Sequence, residues 1–364
     1  MARRSNSSRA SVIVAVRHVL FLAVFGWIVA PFPASAADYS NALISQEGNN
    51  NNAAIEQVQT LDAYASIEQE GSSNITSIQQ GSLSEAGDSS FNANVDTHGD
   101  LNKVSIIQRD AFQTATVFQE GSTNQISIEQ IEEDATLNVR QSGTTQILQV
   151  QQNRQANASI QQEGFEDVLL IDQGGRNNAM TVQQFGHKNV SQLSQSGSGN
   201  QLEMLQHGDE NNVAVVQSGT DNLAVLQQET DGASLTLFQT NLNGEARIRQ
   251  TQADEASRLS TSLEQSGAEA KADIQQGGKS NTINATQSGY QNELSLQQDG
   301  EFNDLSVLQT GANTVANVLQ GGASDSGERS SISVIQSADN VNVTVGNIGG
   351  NLGNKPKQIT VIQE

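Results

Sequence analysis

The residue types that most often bind metals or act as nucleophiles are scarce in this sequence. Its 364 residues include four histidines and no cysteine. His98, His187 and His207 fall at predicted turn positions and lack the spacing of metal ligands. There is no Ser/His/Asp arrangement on a strand-to-helix turn, and no helix is predicted after Gly277-Gly278, as a phosphate-binding loop would require. We therefore predict that the protein is not an enzyme and uses no metal or cofactor.

Glutamine and asparagine are the polar residues that do recur at regular spacing. Counting from one glutamine as zero, glycine is common at position 2, asparagine at 5, apolar residues at 7 and 9, and the next glutamine at 11. Their amides can both donate and accept, so identical amides can bond in stacks. The longest uninterrupted series is Gln162, Gln173, Gln184, Gln195, Gln206, Gln217, Gln228, Gln239 and Gln250.

The spacing of these residues indicates β-strands. Asn211, Val213, Val215 and Gln217 alternate with a period of two, which places their side chains on one face of a strand. An eleven-residue period also suits a right-handed coiled coil, but glycine at position 2 would be costly in a helix. Each unit is therefore predicted to contain about six residues of strand and five of turn, with glycine in the turn.

The predicted fold class is all-β, a cross-β β-solenoid spanning residues 37–364. Two eleven-residue half-repeats would form one strand-turn-strand-turn rung of about 22 residues. Rungs would stack ~4.7–4.9 Å apart, and about 14 or 15 of them would give a rod roughly 65–70 Å long. Because one rung cannot bury both of its faces, its stability depends on its neighbours.

Three longer steps between glutamine positions indicate loop insertions. The steps from Gln80 to Thr97, from Gln250 to Gln265 and from Gln320 to Gln336 are seventeen, fifteen and sixteen residues. We place the insertions near 82–96, 251–260 and 321–330, just after a glutamine, with Thr97 occupying a glutamine position. At the end of the chain, Gln358 is interpreted as the next glutamine position.

Residues 1–36 are predicted to be a secretory signal peptide. Basic residues precede an apolar run at 19–30, and the small residues at 34–37 allow cleavage after Ala36 or Ala37. An uncleaved anchor is the alternative. The formal net charge of −22 argues against nucleic acid as a partner. Without cysteine, an exported chain has no disulfides to stabilise it.

The inward amides are the predicted functional residues. Unpaired, they would be expensive to bury, whereas stacked in register each would donate to one neighbour and accept from the other. Acidic residues such as Glu203, Asp209, Glu210 and Glu293 are predicted to lie in turns or outward. The predicted ladder consists of Gln46, Asn51, Gln57, Gln173, Asn178, Gln184, Asn189, Gln195, Asn200, Gln206, Asn211, Gln217, Asn222, Gln228, Gln287, Asn292, Gln298, Asn303 and Gln309.

The repeat unit resembles the curlin repeat of bacterial curli fibre subunits. QEGNNNNAAIEQ at 46–57 and QSGTDNLAVLQQ at 217–228 are close matches to that repeat. The resemblance implies a secreted Gram-negative protein that leaves through an outer-membrane pore. It would polymerise with itself on a nucleator subunit into extracellular amyloid fibres of the biofilm matrix, for adhesion and aggregation. The inward amides would drive that polymerisation.

This sequence departs from the usual curlin pattern in two ways. Gln-x-Gly opens consecutive half-repeats from Gln173 to Gln217, and the array is about three times longer than a five-repeat subunit. The alternative function is a monomeric surface β-solenoid, either an adhesin or an ice-binding rod. Ice binding favours a regular threonine array on one face, and an adhesin favours a membrane anchor. The major or nucleating role, the surface bound and the handedness stay open.

Overall fold

The structure, a computed structural model, describes residues 10–16, 39–58, 60, 62–81, 90–110, 112–251, 258–322, 329–347 and 358–363. The chain forms two compact units, Met1–Arg176 and Asn177–Glu364. The described residues contain β-strands joined by turns and no helix long and apolar enough to cross a membrane.

The first unit contains thirteen of the described strands. They are β1 (Ala10–Val16), β2 (Tyr39–Asn49), β3 (Asn52–Val58), β4 (Asp62–Ser72), β5 (Ile75–Gly81), β6 (Ser90–Asp100), β7 (Lys103–Arg109), β8 (Gln113–Ser122), β9 (Gln125–Ile131), β10 (Thr136–Thr144), β11 (Ile147–Asn153), β12 (Ala156–Phe165) and β13 (Val168–Gln173).

From β2 onward, the strands of this unit alternate between two parallel sheets. Sheet 1 has the order β2-β4-β6-β8-β10-β12, and sheet 2 has the order β3-β5-β7-β9-β11-β13. Each consecutive pair, from β2 with β3 to β12 with β13, makes one rung, so the unit has six rungs. β1 pairs antiparallel with β2. β1 lies within the predicted signal peptide, whose other residues are outside those described, so that assignment stays a prediction.

The second unit continues the alternation over sixteen described strands. They are β14 (Asn178–His187), β15 (Val190–Gln195), β16 (Gln201–Asp209), β17 (Asn212–Gln217), β18 (Leu223–Glu229), β19 (Ser234–Gln239), β20 (Glu245–Thr251), β21 (Ser260–Gln265), β22 (Lys271–Gln276), β23 (Thr282–Gln287), β24 (Glu293–Gln298), β25 (Asn303–Gln309), β26 (Val315–Gln320), β27 (Ser330–Gln336), β28 (Asn342–Asn347) and β29 (Gln358–Gln363).

Even-numbered strands of the second unit form one parallel sheet and odd-numbered strands the other, giving eight rungs. The register follows the sequence repeat: Gln184 lies beside Gln206, and Gln206 beside Gln228. A one-residue slip would exchange the inward and outward faces, so the repeat fixes the register. The predicted all-β solenoid of strand-turn-strand-turn rungs is confirmed.

The core lies between the two sheets. Strands alternate buried and exposed residues, as in β22 and β24, because side chains of a strand point to opposite faces. Buried aliphatic residues such as Leu294, Leu296 and Ile274 fill the interior. Because rungs are stacked in parallel, each buried side chain packs against equivalent positions above and below as well as across the core.

The first predicted insertion is shorter than expected. β6 begins at Ser90, and Phe91, Ala93 and Val95 are buried in register with the neighbouring strands. The prediction of a loop as far as 96 is therefore wrong for residues 90–96, which continue the alternation back from Thr97. Residues 82–89, and 252–257 and 323–328 of the other two predicted insertions, lie outside the described residues.

Several strands are longer than the predicted six residues. β2, β4 and β6 each span eleven residues and continue through the Gln-x-Gly segment. A five-residue turn after every glutamine is therefore wrong in this part of the chain. Strands of the second unit are extended in the same way, and His98 therefore lies in β6, His187 at the end of β14 and His207 in β16, not in turns.

The predicted register of the last strand is also wrong. Gln358 is exposed and pairs with Ser331, whereas Gln363 lies beside Gln336 at the inward glutamine position. A regular eleven-residue step after Asn347 predicts Gln358 at the inward position. The structure places Asn347 beside Gln320, and the following step is longer than eleven residues.

Candidate functional site: the stacked amide ladders

Inward glutamines of the second unit form two continuous side-chain ladders. In one sheet, Gln206 Nε2 donates to Gln228 Oε1 at 2.9 Å, and Gln206 Oε1 accepts from Gln184 Nε2 at 2.8 Å. Each amide therefore donates toward the C-terminal end of the unit and accepts from the rung before. The two ladders are Gln184-Gln206-Gln228-Gln250-Gln276-Gln298-Gln320 and Gln195-Gln217-Gln239-Gln265-Gln287-Gln309-Gln336.

The first unit has the same ladder in sheet 2. Its members are Gln57, Gln80, Gln108, Gln130, Gln152 and Gln173, with donor–acceptor distances of 2.8–3.0 Å. In sheet 1 the ladder is interrupted, because Thr97 occupies a glutamine position between Gln69 and Gln119. Thr97 Oγ1 and Gln119 Oε1 are buried and accept or donate no hydrogen bond within the described chain. Gln69 Nε2 donates instead to Thr76 Oγ1 at 2.9 Å.

A second donor hydrogen on many of the ladder glutamines connects the two sheets. Gln108 Nε2 donates to Gln130 Oε1 at 2.8 Å and also to the backbone oxygen of Asn92 in the facing sheet at 3.2 Å. Gln287 likewise donates to Gln309 Oε1 at 2.9 Å and to the Lys271 oxygen at 3.0 Å. The glutamine amide thus donates to a backbone carbonyl oxygen of the facing strand while it extends the ladder. These hydrogen bonds explain how so polar a group is buried.

Asparagine at position 5 bonds mainly to the backbone, not to the next asparagine side chain. Asn102 Nδ2 donates to the His98 oxygen, four residues earlier in the same repeat, at 3.2 Å and to the Gly121 oxygen of the next rung at 2.9 Å. Its Oδ1 accepts from the Asn124 backbone N–H at 3.1 Å. The prediction of amide-to-amide bonds is therefore confirmed for glutamine and wrong for asparagine. The asparagines fix the turn and connect it to the next rung.

Glycine at position 2 is required by this arrangement. Gly208 has a φ of +118°, and a Cβ atom there would lie 1.9 Å from the carbonyl oxygen of Thr230 on the next rung. The carbonyl of Gly208 also accepts from Asn189 Nδ2 at 2.7 Å. Close stacking of the turns thus leaves no room for a side chain, and the left-handed conformation independently favours glycine.

The structure places the predicted ladder residues as expected with one exception. Gln57 is half-buried in the first rung, although its Nε2 donates to Gln80 Oε1 at 2.9 Å. All the others are buried: Gln46, Asn51, Gln173, Asn178, Gln184, Asn189, Gln195, Asn200, Gln206, Asn211, Gln217, Asn222, Gln228, Gln287, Asn292, Gln298, Asn303 and Gln309. Their role in polymerisation stays a prediction.

Several equivalent residues were missed as functional candidates. Asn74, Asn102, Asn124 and Asn281 make the same backbone bonds as the predicted asparagines. Their position five residues after a glutamine, or after Thr97 in its place, could have identified all four. The buried hydroxyl of Ser191, which donates to Gln206 Oε1 at 2.9 Å, stands where an apolar residue is expected and had no such signal.

Two substitutions depart from the asparagine columns. Gln146 occupies an asparagine position, and its Nε2 lies 3.4 Å from Oδ2 of the buried Asp167 at the same position one rung later. Asp167 is therefore an exception to the prediction that acids lie mostly in turns or outward. Gln146 Oε1 is buried and accepts no hydrogen bond from any described residue.

In the second unit, one repeat has exchanged its glycine and asparagine. Asn241 stands at the glycine position and Gly244 at the asparagine position. A Cβ atom on Gly244 would lie 2.1 Å from Asn241 Nδ2, so the Asn241 amide fills the space of the absent asparagine side chain. Both polar atoms of this amide are buried without a hydrogen bond to the described part of the protein. The exchange keeps the buried space filled, but it loses the hydrogen bonds that the asparagine side chains of other rungs make.

Charged side chains lie mostly on the outside of the stack. His98 Nδ1 lies 3.0 Å from Glu70 Oε2 and Nε2 lies 2.8 Å from Asp96 Oδ1, while Arg109 Nη1 lies 3.5 Å from Glu129 Oε1. These are surface pairs of modest energy. Within the described ranges, no group of three or more histidines or carboxylates is arranged to hold a metal ion.

The structure thus defines a class of protein: a parallel β-solenoid with glutamine ladders on the inward faces of both sheets and asparagines that connect successive turns. The family model of the curlin associated repeat matches residues 40–71, which comprise most of β2, all of β3 and nearly all of β4. This match confirms the resemblance found in the sequence. No curated protein matches the chain.

Proposed function

We propose that this protein is a secreted structural subunit that self-assembles end to end into curli-like amyloid fibres. The fibres would form part of the extracellular matrix of a Gram-negative biofilm and serve adhesion and aggregation. The curlin repeat match at residues 40–71 and the β-solenoid fold support a structural role. Export through an outer-membrane pore and growth from a nucleator subunit are part of the same proposal.

The observation that carries the proposal is the polarity of the ladders together with their ends. Each glutamine-to-glutamine link donates toward the C-terminal end, as far as Gln320 in one sheet and Gln336 in the other, so a rung offers acceptors at one edge and donors at the opposite edge. Among the described strands, β28 and β29 end the two sheets at the C-terminal side, and β3 begins sheet 2. Unpaired strand edges are templates for another chain. In a chain without β1, which otherwise covers the edge of β2, a second copy stacked head to tail would continue the backbone pairing of both sheets and align the amide columns of the two copies.

Kinetics of polymerisation test this mechanism. We expect replacement of Gln206, Asn211 and Gln217 together by alanine to slow growth by at least tenfold, because it removes buried links from both sheets. Thioflavin fluorescence of the purified chain from residue 38 onward measures growth. Circular dichroism before growth establishes whether the monomer still contains β-structure.

The matched control changes outward residues of the same rungs. Glu203→Gln and Glu210→Gln should alter the growth rate by less than about twofold, since neither residue belongs to a ladder. Equal slowing by both sets of variants would contradict the ladder mechanism. A folded monomer that never grows would instead favour the monomeric surface solenoid.

A further inference from the structure

One outward face of the second unit is nearly free of charge. The outward side chains of β15, β17, β19, β21, β23, β25, β27 and β29 form three columns of eight, running from Val190 to Gln358, Gln192 to Thr360 and Ser194 to Ile362. We name these columns the neutral face. Only Glu264 and Asp304 carry a charge in them, and Asp304 is paired with Arg329.

The opposite outward face of the same unit is different. Its corresponding columns run from Ala179 to Asn342, Thr181 to Thr344 and Gln183 to Gly346. Seven of these positions are charged, with Arg247, Lys271 and Asp273 on adjacent strands. Both faces have the same backbone and the same repeat, so the repeat itself does not explain why charge is excluded from only one of them. Depletion of charge is a property of the buried centre of protein interfaces.

The neutral face also exposes large apolar side chains. Phe238, Leu308 and Ile362 are 44%, 37% and 56% exposed in its third column, and the half-buried Ile335 lies between the last two. Nine positions of the first two columns are serine or threonine. Small side chains beside an apolar column can interdigitate with those of a second sheet, as in the dry contacts between paired cross-β sheets.

A second copy of this chain is the occupant that these features fit. The chain carries a net charge of −22, so two copies repel each other except where acids are absent. When two copies meet through the same face by two-fold symmetry, that face must be complementary to itself. Small side chains that alternate with larger ones allow the two copies of the face to interlock.

The size of the face is sufficient for such a contact. Eight strands span about 34 Å, and five residues along a strand span about 14 Å between the outer Cα atoms. Two such faces therefore bury about 1,000 Å², the lower limit for a specific interface. We propose that the neutral face pairs two copies of this protein side by side, a contact separate from end-to-end growth.

The test places three lysines in the middle column of the neutral face. Ser262→Lys, Asn284→Lys and Ser306→Lys would put charge on three successive rungs. The control carries Ser295→Lys, Asn317→Lys and Thr344→Lys in the middle column of the opposite face, with the same change in net charge. Sedimentation velocity of the freshly purified full chain measures pairing, electron microscopy measures fibre width, and thioflavin fluorescence measures elongation.

We expect the neutral-face variant to pair at least tenfold more weakly and to form single-width fibres, whereas the control pairs like the parent. Elongation should change by less than twofold in both. Added salt should strengthen pairing of the parent by screening its net charge. Equal pairing by the two variants, or a parent that stays monomeric at all concentrations and salts, would overturn the proposal. Because sedimentation uses soluble protein, this result is independent of whether fibres grow.

Discussion

The two units use the same repeat but stabilise it differently. In the first unit, β2, β4 and β6 extend over eleven residues, and the glutamine ladder of sheet 1 is interrupted at Thr97. From β17 onward, the second unit uses strands of six or seven residues, and its two glutamine ladders are unbroken. Around Thr97, longer backbone pairing thus accompanies an interrupted side-chain ladder, whereas the short strands from β17 onward accompany an unbroken one.

The asparagine columns show the same difference. In the first unit, one column runs through Asn51, Asn74, Asn102 and Asn124 before changing to Gln146 and Asp167. In the second unit, departures such as Ala233, Gly244 and Thr314 are small and uncharged. The backbone N–H of each of these residues still donates to the asparagine of the rung before. The comparison indicates that one rung tolerates loss of an amide when its neighbours are intact.

The largest effect is expected for a break in the unbroken ladder. Gln206→Ala should lower the free energy of unfolding of the second unit by about 3–5 kcal/mol, because it leaves a cavity and deprives two buried amides of partners. Thr97→Ala, at the existing interruption, should lower the free energy of unfolding of the first unit by about 1 kcal/mol or less. Native-state hydrogen exchange measures both locally. Equal costs would mean that ladder continuity does not distinguish the units.

A smaller gain is expected at Asp167. Asparagines elsewhere in its column donate through Nδ2 to two carbonyl oxygens, whereas a carboxylate cannot donate. Asp167→Asn should therefore stabilise the first unit by about 1–3 kcal/mol at neutral pH. Urea unfolding followed by circular dichroism measures the change, with the exposed Asp172→Asn as control. Destabilisation by Asp167→Asn would show that the carboxylate is better accommodated than an amide.

Restoring glycine at position 241 and asparagine at position 244 is expected to raise the free energy of unfolding by about 1–2 kcal/mol, because the hydrogen bonds of the asparagine are recovered. Gly244→Asn alone should clash with the Asn241 side chain, and Asn241→Gly alone should leave a cavity, so only the double variant should be more stable than the parent. Thermal unfolding of the four proteins completes a double-mutant cycle. Additive effects of the two single changes would contradict the shared space seen in the structure.

The smallest effect is expected outside the stack. Glu203→Gln should change stability by less than about 0.5 kcal/mol, since it is exposed and belongs to no ladder. Chemical denaturation compared with Gln206→Ala, three residues away, measures the contrast between the two faces of one strand. A cost above 1 kcal/mol would show that the outward columns contribute more than the account allows.

Much of the fold could be predicted from the sequence because the repeat encodes it directly. The period of two predicts Gln206, Asn211 and Gln217 on the inward face. The eleven-residue step predicts that every second glutamine, two half-repeats along the chain, lies beside the first in the same sheet. The glutamine ladder followed from the chemistry of a primary amide. These features depend on local spacing, which a single sequence contains.

Other features depend on contacts that spacing does not encode. Asn102 bonds to the Gly121 backbone because the turns of adjacent rungs approach closely, a fact that requires the three-dimensional stack. The extension of β4 through Gly71 and the displaced register at Gln358 depend on backbone pairing between rungs. The charge asymmetry between the two faces of the second unit depends on which sheet each outward residue belongs to, which the eleven-residue spacing alone does not show.

The most direct test of the central claim is fibre diffraction from the purified chain beginning at residue 38, left undisturbed after removal of denaturant, with thioflavin fluorescence recorded in parallel. The account predicts a lag followed by growth, and a meridional reflection near 4.7–4.8 Å from strands stacked along the fibre. A soluble, β-rich monomer that gives no growth and no such reflection would contradict end-to-end assembly.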